Sequence, residues 1–473
     1  MTVDPRAALQ QAQALAADGR LDEAAALHRR IADASPGSGV ARHNLAAALG
    51  DAGRWSEAEA PARQALALGL QAAETWLVLG RALQAQGRLD EAEAALLTAV
   101  RRKPLTAAHH DLVQLRWMRG AGIDAAFAEL DAAIAARPGA VDLLVLKGQT
   151  LAEAGEGARA LAVFTRAAAA HPADAELLAA LAQAAMSEGD LPLARDAAAR
   201  ALRLAPRLRA ARWALIEALL AQGDAIGADR LASAFIRDEP DNQYAWALQA
   251  TAWRALGDPR YGALYDYDAL LAVTEIDVPP EWPDLPAYLA DLRSALTAAH
   301  PFAAPPFGQS LRQGALIHHV HRLPHAAAQA LPRALDGPIR RYIAALGRGA
   351  DPLRRRVGAP GYRFQNIWSV RMRGQSAHHL NHTHPDAWIS SAFYVEAPSA
   401  AARGKEGWIA FGEPGVRTDP PQPAERHVEP RPGRLLLFPS YLWHGTNPYA
   451  GDETRLTVAF DIEPSAVRHD LQA

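Results

Sequence analysis

Two histidines one residue apart, His382 and His384, sit in the run Asn381-His382-Thr383-His384-Pro385-Asp386, and a third, His444, follows sixty residues after His384. On an extended segment, residues two apart point the same way. Two imidazoles on one face, joined by a third from a distant segment, can hold a divalent transition metal. Eleven residues beyond His444 comes Arg455-Leu456-Thr457-Val458-Ala459-Phe460-Asp461. Alternation puts Leu456, Val458 and Phe460 on one face and Arg455 with Thr457 on the other. A guanidinium on an otherwise apolar strand needs an anionic partner, because a buried unpaired charge is costly. The chemistry suggested is a metal ion and an anionic ligand held side by side. His378 and His379 are adjacent, so they point opposite ways; they are expected at the surface, the alternative being that one of them backs the metal ligands.

A β domain must position these groups. From Tyr362 onward, alternating patterns predict strands at 362–372, 387–396, 407–411, 433–439 and 454–462, separated by Gly, Pro and Asp turns. Many short strands point to a sandwich or jelly roll. Trp368, Trp388 and Trp443 are read as packing inside it. Upstream, Asp277-Val278-Pro279-Pro280-Glu281-Trp282-Pro283-Asp284 marks a linker. The spacing of Leu, Ala and Ile then predicts helices near Leu285–His300 and Ala326–Leu346, packed outside the sheet. His318, His319, His321 and His325 lie between or beside these helices with no partner motif and are read as surface or core residues.

The first half repeats. Gly19, Gly53, Gly87, Gly122, Gly155, Gly189, Gly223 and Gly257 are 33 to 35 residues apart, and Pro104, Pro138, Pro172, Pro206 and Pro240 recur every 34. Such a period in an Ala- and Leu-rich chain predicts a helix-turn-helix solenoid. Glycine allows the left-handed backbone that ends one helix, and proline stops the next. Asp4 and Pro5 suit an N-cap and a first-turn proline. Trp76, Leu79, Gly80, Ala92, Ala99 and Pro104, with Gly148, Ala160, Phe164, Ala167 and Pro172 two units later, resemble the tetratricopeptide repeat over roughly residues 5–256. The resemblance implies about seven repeats and a groove that binds a protein or peptide.

The histidine and arginine constellation, over about residues 362–462, resembles the iron(II)/2-oxoglutarate-dependent oxygenases, and within them the branch related to aspartyl β-hydroxylases. The resemblance implies a double-stranded β-helix and an Fe(II) ion. It implies 2-oxoglutarate as co-substrate, held by Arg455 and Thr457 with a hydroxyl contribution from Ser391, and ascorbate as a reductant. It also implies hydroxylation of a C–H bond with release of succinate and carbon dioxide. The usual ligand set has one carboxylate. Starting from His382 puts His384 in the carboxylate's place, with His444 as third ligand. Starting from His384 restores an acid, Asp386, across Pro385. Both sets stay open at this point.

Composition limits the alternatives. The net charge of −3 over 473 residues, without a long basic run, does not favour nucleic acid. The absence of cysteine removes disulfides, zinc-thiolate sites and thiol nucleophiles. No stretch is long and apolar enough to span a membrane, and Met1-Thr2-Val3-Asp4-Pro5-Arg6 is no signal sequence, so a cytoplasmic location is expected. The expectation is therefore a multidomain α + β chain. Residues 1–256 form the repeat array, 257–345 a connector with supporting helices, and 346–473 the jelly-roll oxygenase domain. The expected activity is hydroxylation of a recruited protein or peptide. A small-molecule oxygenase that uses its repeats for assembly, and a non-catalytic scaffold, are the alternatives; the oligomeric state is left open.

Overall fold

The computed structural model describes residues 5–300, 310–374 and 376–465, and its contacts divide the chain into two compact units, Met1–Leu146 and Lys147–Ala473. The expected N-cap Asp4 and the proline-bearing run 303–307 lie outside the described residues.

The first unit holds four helix pairs: Pro5–Ala17 with Leu21–Ala34, Gly39–Asp51 with Trp55–Ala67, Ala73–Ala85 with Leu89–Arg102, and Thr106–Met118 with Ile123–Ala136. Alanine lets paired helices approach closely, and Ala25, Ala58, Ala62, Ala82 and Ala92 are completely buried. The turn inside each pair carries a glycine with positive φ, at Gly19, Gly53 and Gly87 as the period predicts. In the fourth pair that glycine is Gly120, not the expected Gly122. Gly122 has φ −61° and immediately precedes helix Ile123–Ala136, because one extra residue separates the turn from the next helix.

Helix Val141–Glu153 contains the division and pairs with Gly157–Ala170; the second unit then holds the pairs Ala175–Ser187 with Leu191–Leu204 and Arg209–Ala221 with Ala225–Asp238, and a single helix Gln243–Leu256. Prolines 172, 206 and 240 each stand two residues beyond a helix end, where a missing N–H costs nothing. Gly148 faces Phe164 across its pair so closely that even a methyl group would strike the ring.

The strands follow: β1 Ala272–Glu275, β2 Leu311–Arg312, β3 Gly314–Ile317, β4 Gly361–Met372, β5 His378–His379, β6 Ile389–Glu396, β7 Ile409–Phe411, β8 Arg426–Val428, β9 Arg434–Pro439, β10 His444–Thr446 and β11 Arg455–Ser465. Six form an antiparallel sheet in the order β1-β9-β6-β11-β4-β3, and three form a second sheet, β10-β7-β8. The two sheets form a jelly roll, supported by helices Leu285–Ala299 and Leu331–Leu346. The connector is less of a linker than its prolines suggest, since β1 and β3 complete the edges of the larger sheet.

One hydrophobic core runs from Ile216, Leu248 and Trp253 on the repeat helices, through Tyr265, Tyr288 and Leu335, to Phe393, Leu436, Tyr441 and Phe460 in the sheet. Polar bonds tie the same parts together. Trp443 Nε1 donates to Thr251 Oγ1 at 2.9 Å, Gln422 donates to the Thr251 carbonyl at 2.9 Å, and the Arg254 guanidinium donates to the carbonyls of Gly412 and Pro423. The final repeat helices are thus built into the β domain. Among the described residues, no helix is long and apolar enough to cross a membrane.

Two outcomes test this packing. Helix propensity alone makes Gly148→Ala stabilising by about 1 kcal/mol, whereas the Phe164 contact makes it destabilising by about 1–3 kcal/mol; chemical denaturation should show a loss. His300 is buried against Ser369 (Nε2 to Oγ 3.1 Å), and burial pushes its pKa from 6.5 down to about 3. Between those values the unfolded chain binds the extra proton. Stability should therefore fall as pH drops through that window, by at most about 1.4 kcal/mol per pH unit from this group. A His300→Gln variant should show a shallower acid-side slope in denaturation midpoints.

Candidate metal centre

Backbone pairing brings the distant histidines together. His382 N–H donates to the His444 carbonyl at 2.8 Å, and His444 N–H donates back at 3.0 Å. This isolated antiparallel bridge sets the two side chains beside each other on one side. His384 N–H donates to the Ser440 carbonyl, which anchors the segment's other end. The three rings converge, with centroids 4.3 Å (His382–His444), 5.1 Å (His384–His444) and 5.2 Å (His382–His384) apart. One nitrogen from each lies within 4.8 Å of the others, the spacing of a metal site.

The other ring nitrogen of each histidine is already engaged. His382 Nδ1 meets the Leu380 carbonyl at 2.8 Å, His444 Nδ1 the Leu442 carbonyl at 2.9 Å, and His384 Nδ1 the Asp461 carboxylate at 2.7 Å. Each acceptor calls for a proton on Nδ1, which leaves the lone pair on Nε2 to face a metal; at His382, Ser310 Oγ lies 3.5 Å from that nitrogen. Metal-binding histidines are regularly oriented in this way by a carbonyl or carboxylate. Burial also favours the neutral form of two of the rings: it lowers the pKa of His382 to about 4 and that of His444 well below its usual range. A neutral imidazole is the form that ligates.

The larger sheet supplies the rest of the pocket, a cavity of about 480 Å³ between the two sheets. Arg455, Thr457, Ala459 and Asp461 follow one another along the pocket face of β11, while Leu456, Val458, Phe460 and Ile462 are fully buried on its other face. Arg455 is 2% exposed, and no carboxylate pairs with it among the described residues. Its Nη1 reaches the Met372 sulfur at 3.5 Å, its guanidinium carbon lies 5.1 Å from the Tyr394 ring centre, and its Nε has no partner. Thr457 is buried beside it, 3.5 Å from the Val370 carbonyl. A cation buried in this way fits an anionic ligand.

Two expected residues stand apart from this constellation. Asp386 lies outside the histidine cluster. Pro385 and the turn that returns Ala387 N–H to the His384 carbonyl break the extended geometry, so alternation no longer carries Asp386 onto the face of His384. Its side chain is 78% exposed at the rim, 3.6 Å from Arg209 of helix Arg209–Ala221. Ser391 touches the pocket wall, but its hydroxyl both donates to the Phe460 carbonyl and accepts from the Phe460 N–H at 2.8 Å. The residue paired across from Asp461 is Ser390, whose hydroxyl donates to the Asp461 carboxylate at 2.7 Å.

Other groups went unread in the sequence. Asp461 was legible by extending the alternation Arg455, Thr457, Ala459 by one step. Trp368, expected as internal packing, lines the pocket and stacks on His384 with centroids 5.9 Å apart. His379, expected at the surface, and His318, read as a surface or core residue, also line it; His379 Nδ1 lies 2.9 Å from Ser310 Oγ and His318 Nδ1 2.6 Å from Asn366 Nδ2. Pairing of β2 with β5 and of β3 with β4 draws these residues inward, and neither short strand carries a sequence pattern.

Two family models match parts of the chain. Residues 366–461 match the family described as "Putative 2OG-Fe(II) oxygenase", and residues 3–39, 43–106 and 118–175 match the tetratricopeptide repeat. The chain joins tetratricopeptide repeats to a domain of that oxygenase family. No curated protein matches the chain. Similar solved structures include PilF of Pseudomonas aeruginosa, at 19% identity over 44% of this chain and 95% of that one, with a TM-score of 0.31. The tetratricopeptide-repeat domain of P58(IPK) is similar at 18% identity over 56% and 92%, with a TM-score of 0.23. A repeat protein of Parabacteroides merdae is similar at 16% identity over 48% and 86%, with a TM-score of 0.34.

The ligand question has a direct test. Alanine at His382, His384 or His444 should each abolish stoichiometric uptake of Fe(II) or Co(II) in equilibrium dialysis. Asp386→Ala should leave uptake within about twofold of wild type, since an exposed rim ion pair is worth roughly 0–1 kcal/mol. Loss of metal from the Asp386 variant would reinstate that carboxylate as a ligand.

Proposed function

We propose that this chain is an iron(II)- and 2-oxoglutarate-dependent hydroxylase that oxidises a side chain of a protein or peptide recruited by its repeats. The observation that carries the reading is the buried Arg455, unpaired with any described carboxylate, in the same pocket as three histidines whose Nδ1 atoms are all engaged. The donor set fits the metal: three imidazole nitrogens suit Fe(II), as they suit other first-row divalent ions. Iron(II) with 2-oxoglutarate and dioxygen supplies the oxidising power to convert C–H to C–OH, with succinate and carbon dioxide as co-products.

The residues have distinct tasks in this reading. His382, His384 and His444 hold the ion through Nε2. Arg455 receives the far carboxylate of 2-oxoglutarate, for which a guanidinium fork is well shaped, and Thr457 offers a hydroxyl beside it. Leu316, Val370 and Ile409 wall the cavity with apolar surface and exclude water.

A macromolecular substrate is supported by the neighbourhood of the opening. The segment that carries the histidines is bonded to the repeat helices, since Gln243 N–H at the start of helix Gln243–Leu256 donates to the Pro385 carbonyl at 2.9 Å and Arg209 pairs with Asp386. A polypeptide held along these helices is delivered to the rim rather than to a remote face. One observation favours a second reading, a non-catalytic scaffold: the histidine cluster contains no carboxylate.

Turnover separates the two. Metal-free protein supplied with Fe(II), ascorbate and 2-oxoglutarate should form succinate slowly without substrate. Arg455→Ala should keep its metal yet bind 2-oxoglutarate roughly 30- to 1,000-fold more weakly, as expected when a buried charge pair loses one partner at a cost of about 2–4 kcal/mol. Wild-type protein that holds iron but neither binds 2-oxoglutarate nor yields succinate is the scaffold.

A further inference from the structure

Asp461 is a carboxylate only 9% exposed, on the same strand face as Arg455, and its one ion-pair partner among the described residues is His384. Its two oxygens are committed to different donors. Oδ2 lies 2.7 Å from His384 Nδ1, and Oδ1 accepts from Ser390 Oγ at 2.7 Å. Ser390 Oγ lies 2.8 Å from Ser440 Oγ, both serines are fully buried, and the Ser440 carbonyl accepts the backbone N–H of His384. The network thus closes on His384 from its side chain and its backbone. His382 and His444 differ, because their Nδ1 atoms meet neutral carbonyls.

We infer that Asp461 is a positioning residue for the metal centre: through His384 it fixes one ligand's tautomer and orientation and supplies, across the imidazole ring, the negative charge that a three-histidine set lacks. The inference rests on the reading of the site as a metal centre. A buried carboxylate answered only by a serine hydroxyl and an imidazole lacks a full countercharge. A divalent ion on Nε2 of the same ring compensates it, and the carboxylate makes His384 the stronger donor. The same pairing disfavours the alternate tautomer, which would put the proton on Nε2 and block ligation. In the usual facial triad a carboxylate touches the metal directly; here Pro385 turns Asp386 outward, and the strand that carries Arg455 brings an acid to the opposite side of His384.

Asp461→Asn tests this, since asparagine keeps the shape and can still accept from His384 Nδ1–H while Ser390 turns its proton toward Ser440. Metal-stripped wild type and variant are titrated with Co(II), and anaerobically with Fe(II) against a chromogenic chelator, and the melting temperature of each metal-free protein is measured. The expected result is affinity weakened about 10- to 100-fold for one ion per chain. The metal-free variant should melt no lower than wild type, because an uncompensated charge has gone. A purely structural Asp461 predicts the reverse: a lower metal-free melting temperature with affinity unchanged, which overturns the assignment. If the asparagine variant does not fold, Asp461→Ser, with room for a water between Ser390 and His384, carries the same expectation. Wild-type protein that takes up no divalent ion overturns the metal-centre reading itself, a result distinct from equal affinities in wild type and variant.

Discussion

Burying charge in a protein interior is costly unless something of opposite sign answers it, and one strand of this protein buries two such charges on a single face. Arg455 lies near one end of the pocket and Asp461 near the other, and neither has an oppositely charged side chain to neutralise it beyond an imidazole. The apolar face of the same strand, Leu456 to Ile462, is clamped between its neighbours, so neither charge can turn away. The fold thus sustains a polarised cavity that fits a cation and an anion together. The three histidines are tied to the acidic residue by the bond between His384 and Asp461, and Arg455 is the cation on the same face of the strand.

The cavity depends in turn on pairing between residues far apart in the chain. A two-residue bridge joins His382 to His444, β11 lies between β4 and β6, and β10 pairs with β7. Because alternation along a strand is strict, a slip of one residue would send Arg455 and Asp461 into the apolar layer and Leu456 into the pocket. The repeat helices take part as well. Trp443, next to His444, is buried against Thr251, and Gln243 holds the carbonyl of Pro385. The last helices of the array are therefore part of the scaffold that fixes the histidine segment.

Much of this was legible in order along the chain. Strands expected at 362–372, 387–396 and 433–439 appear as Gly361–Met372, Ile389–Glu396 and Arg434–Pro439, because alternation and apolar runs are local signals. Edge strands such as β1 and β3 escaped notice, since four residues carry too little pattern and their partners are remote. Asp386 shows the limit of a motif: its spacing from His384 suits a ligand, but an intervening proline bends the chain and turns the side chain to solvent. Ser391 lines the cavity with its hydroxyl bonded to the Phe460 backbone, while Ser390, one residue earlier, bonds Asp461; spacing alone does not tell these two serines apart.

The sequence by itself determined the periodic helix pairs and the strand-rich second half, and it singled out the histidines, with Asp386 as a rival ligand, and the arginine, because each is written in spacing that survives without knowledge of partners. Only the tertiary structure decided that Asp461 is the acid within hydrogen-bond distance of the histidine cluster while Asp386 is exposed, that His379, His318 and Trp368 face the cavity, and that the final repeats share a core with the sheet. Those outcomes depend on which distant segments pair and in what register, and that is settled by the competition among whole packing arrangements rather than by any local run of residues.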